Sequence, residues 1–173
     1  MYKDELKKPI TQLAEERLDR DKLRHFMDFV QFAKDNKFTF KRSASYSWGL
    51  HYQKQFVCGL CLYSIESYQP DGSWCIRPRN VFLHEYDEHV TDDNLKKLII
   101  DSMKSELCCG CNGSQCGKRS GDKRLASDNV TIFGTNYKNI CTGVPLMFIS
   151  PSGEMLKQVK ELMSISQNII NNW

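Results

Sequence analysis

The sequence lacks an apolar run approaching the ~18 residues that a membrane-spanning helix needs, so we expect no membrane span. Its first residues, MYKDELKKP, lack the apolar core of a secretory signal, which predicts a cytoplasmic location. The chain also lacks a large excess of charge of one sign. Its net charge of +3 is too small to indicate a nucleic-acid partner by itself. No phosphate-binding glycine loop, nucleophile elbow or HExxH motif occurs, which favours a protein that is not an enzyme.

The length and composition are those of an ordinary globular protein. A chain of 173 residues suits one domain, with 40% hydrophobic and 26% charged residues. A domain of this size buries roughly 70% of its unfolded surface, so it does not need metal or disulfides merely to fold.

Cysteine is the residue type that needs an explanation. The chain has eight cysteines, and four of them, Cys108, Cys109, Cys111 and Cys116, stand within nine residues. A reducing cytoplasm removes a disulfide framework as the simplest explanation, which leaves metal binding, redox chemistry or plain burial. This loop is rich in glycine and flanked by charge, so burial of four apolar thiols does not suit it.

The spacing in this loop predicts a structural zinc site. Zinc binds thiolates tetrahedrally, and structural sites place two ligands two to four residues apart. Cys108 and Cys111 have that spacing, Cys116 follows, and the glycines between them let the backbone turn closely around an ion. We assign Cys141 as the fourth ligand, with Cys109 as the substitute for Cys108, and expect Zn²⁺ as the cofactor.

Other functions stay open beside this one. The thiols suit a thiol-redox or thiol-sensing protein. Aromatic side chains in residues 38–90 suit a small-molecule pocket, although they also suit a core. Lys118, Arg119, Lys123 and Arg124 suit a nucleic-acid-binding zinc ribbon, although they also balance the net charge of about −2 on a zinc held by four thiolates.

Hydrophobic periodicity predicts a single α+β domain, with an antiparallel meander covered by helices. Residues 56–65, apolar at both alternating sets, predict the central strand, and residues 81–86 predict a further strand. The predicted segments are an N-terminal helical part over 1–37, strands over 38–90, a helix over 91–107, the cysteine loop over 108–124, strands over 130–149 and a final helix over 150–171.

Three residues are predicted to cap helices. Asp21 is expected to begin the second N-terminal helix, Thr91 the middle helix, and Ser150, followed by Pro151, the last helix.

Two further motifs are interpreted as structural. Cys58 and Cys61 have redox spacing, but positions three apart in a strand face opposite sides of the sheet, so we expect core packing. The stretch from His84 to His89 holds two histidines among acids without a recognised ligand spacing, and we expect a solvated turn.

Six segments carry a resemblance to known sequences, namely SYSWGLHY, SWCIRPR, TDDNLKKLIIDSM, CCGCNGSQCGKR, VTIFGTNYKNIC and ISPSGEMLKQVKELM. Together they resemble a group of uncharacterised bacterial proteins with a domain of unknown function, in which a cysteine-rich loop precedes an Ile-Phe-Gly strand and a further cysteine. This chain differs in its adjacent Cys108 and Cys109 and in a longer gap before Cys116. The resemblance implies a shared architecture and a bacterial source, and it brings no activity.

The sequence therefore predicts a cytoplasmic binding or regulatory module with one structural zinc. A small molecule or a protein is the kind of ligand we expect, whereas a membrane or nucleic-acid partner is not favoured.

Overall fold

A computed structural model describes residues 7–44, 46–62, 72–79, 82–103, 128–140 and 146–173. Five helices occur in these residues: α1 (Ile10–Arg17), α2 (Arg20–Asp35), α3 (Phe82–His89), α4 (Asp93–Met103) and α5 (Gly153–Asn171). The strands in the same residues are β1 (Thr39–Ala44), β2 (Ser47–Tyr52), β3 (Gln55–Leu62), β4 (Trp74–Pro78), β5 (Asp128–Ile132), β6 (Thr135–Ile140) and β7 (Phe148–Ile149).

The strands build one five-stranded antiparallel sheet and a separate hairpin. The sheet order is β1-β2-β3-β4-β7, and β5 pairs with β6. The predicted α+β fold and its meander are thus confirmed. The strand β3 lies at the centre of the sheet, as predicted from its apolar residues at both alternating sets of positions. One edge strand, β1, has a register irregularity between Arg42 and Ala44, and the other, β7, is two residues long.

The helices cover one face of the sheet, which we call the helix face. Trp74 of β4 packs edge-on against Phe26 of α2, with ring centroids 5.3 Å apart. The apolar side of α5 is buried in this core, at Leu156, Val159, Leu162, Met163 and Ile170. Alternation along each strand sends the neighbouring side chains to the opposite face.

That opposite face, which we call the thiol face, carries a smaller cluster. Cys61, Cys75 and Met147 are its buried members, and Ile149 packs against them. The sheet therefore separates a large aromatic and aliphatic core from a small sulfur-rich one.

Residues 81–86 were expected to form a strand, and that prediction is wrong for the residues described there. Phe82–His89 form the helix α3 instead. The expected solvated turn from His84 to His89 is wrong for the same reason. Tyr86 is fully buried, and its hydroxyl lies 2.9 Å from the hydroxyl of Ser166 on α5. This tyrosine therefore packs between the helices α3 and α5.

The predicted helix caps are each displaced. Asp19 caps α2 rather than Asp21, by accepting from the Lys22 amide at 2.9 Å. Asp92 caps α4 rather than Thr91, by accepting from the Leu95 amide at 2.8 Å. A carboxylate that reaches the amide three residues ahead satisfies an otherwise unpaired donor, so its position decides where the helix begins.

Ser150 has a different role from the predicted cap. Its amide donates to the Trp74 carbonyl at 2.7 Å, and its hydroxyl accepts from the Trp74 amide at 3.3 Å. The residue extends the contact between β7 and β4, and Ser152 stands at the N-cap position of α5.

The hairpin packs against α3. Its turn lies at Phe133 and Gly134, which both have positive φ, so Phe133 belongs to a turn rather than to the predicted strand. The Phe133 amide donates to the carboxylate of Asp87 on α3. No helix among the described residues is both long and apolar enough to cross a membrane.

Candidate functional site

The predicted zinc ligands lie outside the described residues. Cys108, Cys111 and Cys116, with the substitute Cys109, fall in residues 104–127, and Cys141 falls in residues 141–145. The basic residues Lys118, Arg119, Lys123 and Arg124 also fall in 104–127. Within the described ranges, no group of three or more histidine, cysteine or acidic side chains is placed to hold a metal. The zinc assignment stays a prediction. The structure describes the elements on either side of the cysteines, namely α4, the hairpin of β5 and β6, and β7.

We call residues 104–127 and 141–145 the two cysteine segments. Ser102 lies just before the first segment and Met147 just after the second, and these two residues are in contact. The Ser102 hydroxyl, in the last turn of α4, donates to the Met147 carbonyl at 3.2 Å and accepts from the Met147 amide at 3.0 Å. Residue 104 follows α4 directly, and residue 145 stands two positions before Met147. The chain therefore enters the first segment and leaves the second at the same place.

The other ends are fixed by the hairpin. Asp128 is the first described residue after the long segment, and it pairs with Ile140, the residue before Cys141. Cys108 stands five residues beyond Met103, and Cys141 stands five before Leu146. The described residues that flank both cysteine segments are held together by the Ser102–Met147 and Asp128–Ile140 contacts.

A different group of cysteines is placed by the sheet itself. Register puts Ser47, Cys61, Cys75 and Ile149 opposite one another on β2, β3, β4 and β7. These four residues, which we call the thiol row, lie on the thiol face, and Cys61 and Cys75 are 3% and 0% exposed. Two thiols are thus held side by side in a straight line across the strands.

The hydrogen-bond pattern shows which pairs in this row are close. The Leu62 amide donates to the Tyr46 carbonyl, so Ser47 and Cys61 form a non-hydrogen-bonded pair, the type with the closer side chains. On the other side of β3, the Arg79 amide donates to the Val57 carbonyl at 2.8 Å. Bonded pairs alternate along a ladder, so Cys61 and Cys75 form a hydrogen-bonded pair, with Cα atoms about 5.5 Å apart. Pro78 falls at a non-bonded position, where its missing N–H costs no ladder bond.

Cys61 is surrounded by hydrogen-bond donors. The Ser47 hydroxyl donates to its sulfur at 3.3 Å, and the Arg77 guanidinium also donates to it. A hydrogen bond from the Cys75 thiol, the charge of Arg77 and the bond from Ser47 lower the pKa of Cys61 to about 6, although burial acts in the opposite direction. The geometry favours a thiolate at a buried position.

Cys58 shows what the same side chain does without such donors. It lies on the helix face of β3, is fully buried, and burial raises its thiol pKa, with a further contribution from the charge of Cys61. The expectation that the two cysteines of the C-x-x-C motif face opposite sides is confirmed. Core packing describes Cys58, whereas sequence reasoning missed the polar surroundings of Cys61.

A glycine pair adjoins the thiol row. Gly49 and Gly59 stand opposite each other on β2 and β3, and Gly59 is opposite Arg77. The Arg77 side chain runs beside Gly59 on its way to Cys61, and the His51 ring lies beside Gly49, where a Cβ would sit 3.0 Å from its Nε2. His51 also stacks edge-on against Phe56, with ring centroids 5.6 Å apart.

The remaining sequence candidates are structural where they are described. Trp48 and Trp74 are core residues, and Tyr46 and Tyr52 pack against that core. Tyr46 also lies under the Arg17 guanidinium, 4.1 Å from the ring centroid. These four aromatic residues therefore contribute to packing.

Comparison with known protein families, with curated proteins and with solved structures finds no match to this chain. The resemblance to a bacterial family stays a prediction, and function must be argued from the residues themselves.

Proposed function

We propose that the protein is a binding or regulatory module in which Cys108, Cys111, Cys116 and Cys141 hold one structural zinc. The observation that supports this is the double hydrogen bond between Ser102 and Met147, together with the Asp128–Ile140 pair. These contacts bring together the ends of the two segments that carry the four cysteines. A tetrahedral site whose four cysteines come from two segments requires those segments to begin and end close together.

Zinc in this position would fasten the end of α4 to the chain that leads into β7. Site formation is coupled to folding, because thiolates that are scattered in the unfolded chain converge only in the folded one. Metal binding would therefore add to the free energy of unfolding. A cytoplasmic location, a bacterial source and a small-molecule or protein ligand belong to the same proposal.

The first experiment measures metal and stability together. We expect one zinc per chain in protein purified without chelator, and we expect Cys111→Ser and Cys116→Ser to lose the metal and to unfold at lower temperature. Cys58→Ser is the control, because it removes a buried thiol on the helix face and should leave the zinc content unchanged. A parent chain without zinc, and loop variants that melt like it, would overturn the proposal.

A second experiment tests the anchor without touching a cysteine. Ser102→Ala removes both hydrogen bonds to Met147, which together contribute about 1 kcal/mol to the free energy of unfolding. The substitution should also weaken zinc binding severalfold. Ser164→Ala is the control, because among the described residues its hydroxyl bonds within α5, to the Lys160 carbonyl at 3.1 Å. Equal zinc affinity in the two variants would show that the anchor does not position the ligands.

A further inference from the structure

The thiol row has two properties that plain packing does not require. Its two sulfurs lie on adjacent strands in register, and one of them accepts hydrogen bonds from a hydroxyl and a guanidinium. Met147 and Ile149 surround the pair with apolar side chains. A thiol that only fills space is better served by the surroundings of Cys58, which lies among apolar side chains of the main core.

We propose that Cys61 and Cys75 form a hydroperoxide-reactive thiol pair that closes to a cross-strand disulfide. Cys61 is the attacking sulfur, and Cys75 is the resolving one. Arg77 and Ser47 position and stabilise the Cys61 thiolate. This inference concerns the sheet alone and does not depend on the proposed zinc.

Cys61 is assigned as the attacking sulfur because the donors converge on it. Thiolate, not thiol, is the nucleophile, and a cation beside a thiol favours ionisation. The lowered pKa of Cys61, with the Cys75 hydrogen bond as its largest cause and the Arg77 charge next, agrees with that role. Cys58 is the internal contrast, since its pKa is raised.

Cys75 is assigned as the resolving sulfur because of its distance and direction. A hydrogen-bonded antiparallel pair has Cα atoms about 5.5 Å apart, within the roughly 4.4–6.8 Å span of disulfides. Register also places Cys75 directly opposite Cys61, and both side chains belong to the same buried cluster on the thiol face. Cys58 cannot substitute for it, because its side chain leaves the opposite face of the sheet.

The burial of the pair determines the substrate class. Cys61 is only 3% exposed, and protein disulfides or bulky electrophiles cannot reach a sulfur so enclosed. A small neutral hydroperoxide can, and hydrogen peroxide is the smallest of that class.

The chemistry balances with hydroperoxide as the sole oxidant. The Cys61 thiolate attacks the terminal oxygen of ROOH, so an S–O bond forms while the O–O bond breaks. The leaving alkoxide takes up a proton from water and departs as ROH, and Cys61 becomes a sulfenic acid after a two-electron oxidation. The Cys75 sulfur then attacks the Cys61 sulfur, the S–S bond forms, and the hydroxyl leaves with the Cys75 proton as water. One ROOH and two thiols give one disulfide, one ROH and one water.

The experiment treats the reduced full-length protein with hydrogen peroxide at neutral pH and maps its peptides. After removal of the peroxide, free thiols are alkylated in denaturant and the digest is analysed by mass spectrometry without reduction. We expect a peptide pair that joins Cys61 to Cys75 and is lighter by two hydrogens. Cys61 and Cys75 both recovered as alkylated thiols, under conditions that oxidise other cysteines of the chain, would overturn the proposal.

Two variants separate the roles of the sulfurs. In Cys75→Ala, the sulfenic acid at Cys61 should persist and be captured when dimedone is added together with denaturant, which exposes the buried sulfur. In Cys58→Ala, the cross-link should form as in the parent, because Cys58 lies on the helix face. Dimedone capture at Cys58 rather than Cys61 would contradict the assignment.

Variants of Arg77 test the positioning of the thiolate while both sulfurs remain. A rise of one pKa unit at Cys61, from about 6, lowers its thiolate fraction about twofold at neutral pH and up to about tenfold below pH 6. Arg77→Gln should therefore slow the cross-link modestly at neutral pH and more strongly at lower pH. Arg77→Lys retains the charge and should recover part of the rate. Circular dichroism confirms that each variant is folded, and equal rates in the parent and a folded Arg77→Gln would overturn the role of Arg77.

Discussion

Cys58 and Cys61 stand three residues apart on β3 and are both buried, yet they differ in almost every other respect. Cys58 belongs to the helix face and packs in the main core, whereas Cys61 belongs to the thiol face and accepts hydrogen bonds from Ser47 and Arg77. Burial raises the thiol pKa of Cys58, and donors lower that of Cys61. The comparison shows that the partners of a buried thiol, rather than its depth, decide its ionisation.

The two faces should first differ in their contribution to stability. Trp74 and Cys75 are neighbours on β4 and both fully buried, but Trp74 packs against Phe26 and Phe29 on the helix face. Trp74→Ala should lower the free energy of unfolding by about 3–5 kcal/mol, because a large cavity is left in the main core. Cys75→Ala should cost about 1 kcal/mol. Urea denaturation of both variants measures this, and equal losses would show that the faces are energetically alike.

The two thiols should next differ in how stability depends on pH. The pKa of Cys61 falls from about 9 in the unfolded chain to about 6 in the folded one, so the folded protein binds fewer protons between those values. Its stabilising contribution is complete above pH 9 and is lost as pH falls through 6. The difference in unfolding free energy between the parent and Cys61→Ala should therefore grow from pH 6 to 9, by no more than about 1.4 kcal/mol per pH unit.

Cys58→Ala is the matched control for this measurement. The raised pKa of Cys58 keeps it protonated in the folded protein, so its contribution should be constant below pH 9 and should fall above that value. Urea denaturation at several pH values gives both curves. A flat difference for Cys61→Ala would mean that its donors do not stabilise a thiolate.

The smallest expected effect concerns the glycine pair beside the thiols. A Cβ at Gly49 would lie 3.0 Å from His51 and 3.2 Å from Phe56, whereas one at Gly59 would meet Arg77 at 3.8 Å, an ordinary contact. Gly49→Ala should cost about 1–3 kcal/mol through overpacking. Gly59→Ala should stay within about 0.5 kcal/mol of the parent. Thermal denaturation compares them, and a loss at Gly59 equal to that at Gly49 would contradict this account.

Sequence patterns predicted those features of the fold that depend on the residues of a single helix or strand. The residues of β3, which are apolar at both alternating sets, predicted a central strand, and hydrophobic periodicity predicted the helices α4 and α5. The segment over 81–86 failed because two turns of helix are too short for periodicity to distinguish helix from strand. The caps were displaced by one or two residues because several neighbouring polar residues could each accept the first free amide.

The thiol row was not predictable in this way, because it depends on register. Cys61 and Cys75 meet only when β3 and β4 pair with these residues opposite, and a shift of one residue would send one of them to the helix face. The connection between the strands is too long for a turn type to fix the pairing. The proposed zinc site stays a prediction from spacing, supported by the contacts that flank it.

The two edges of the sheet have a consequence for association between copies of the chain. An unpaired strand edge can template the addition of another strand, and native proteins blunt such edges with charge, bulges or short strands. On β1, the exposed Lys41 and the irregularity between Arg42 and Ala44 interrupt the edge, and β7 offers only two residues. Both borders thus resist edge-to-edge aggregation, and replacement of Lys41 by valine is the change that would weaken this protection most directly.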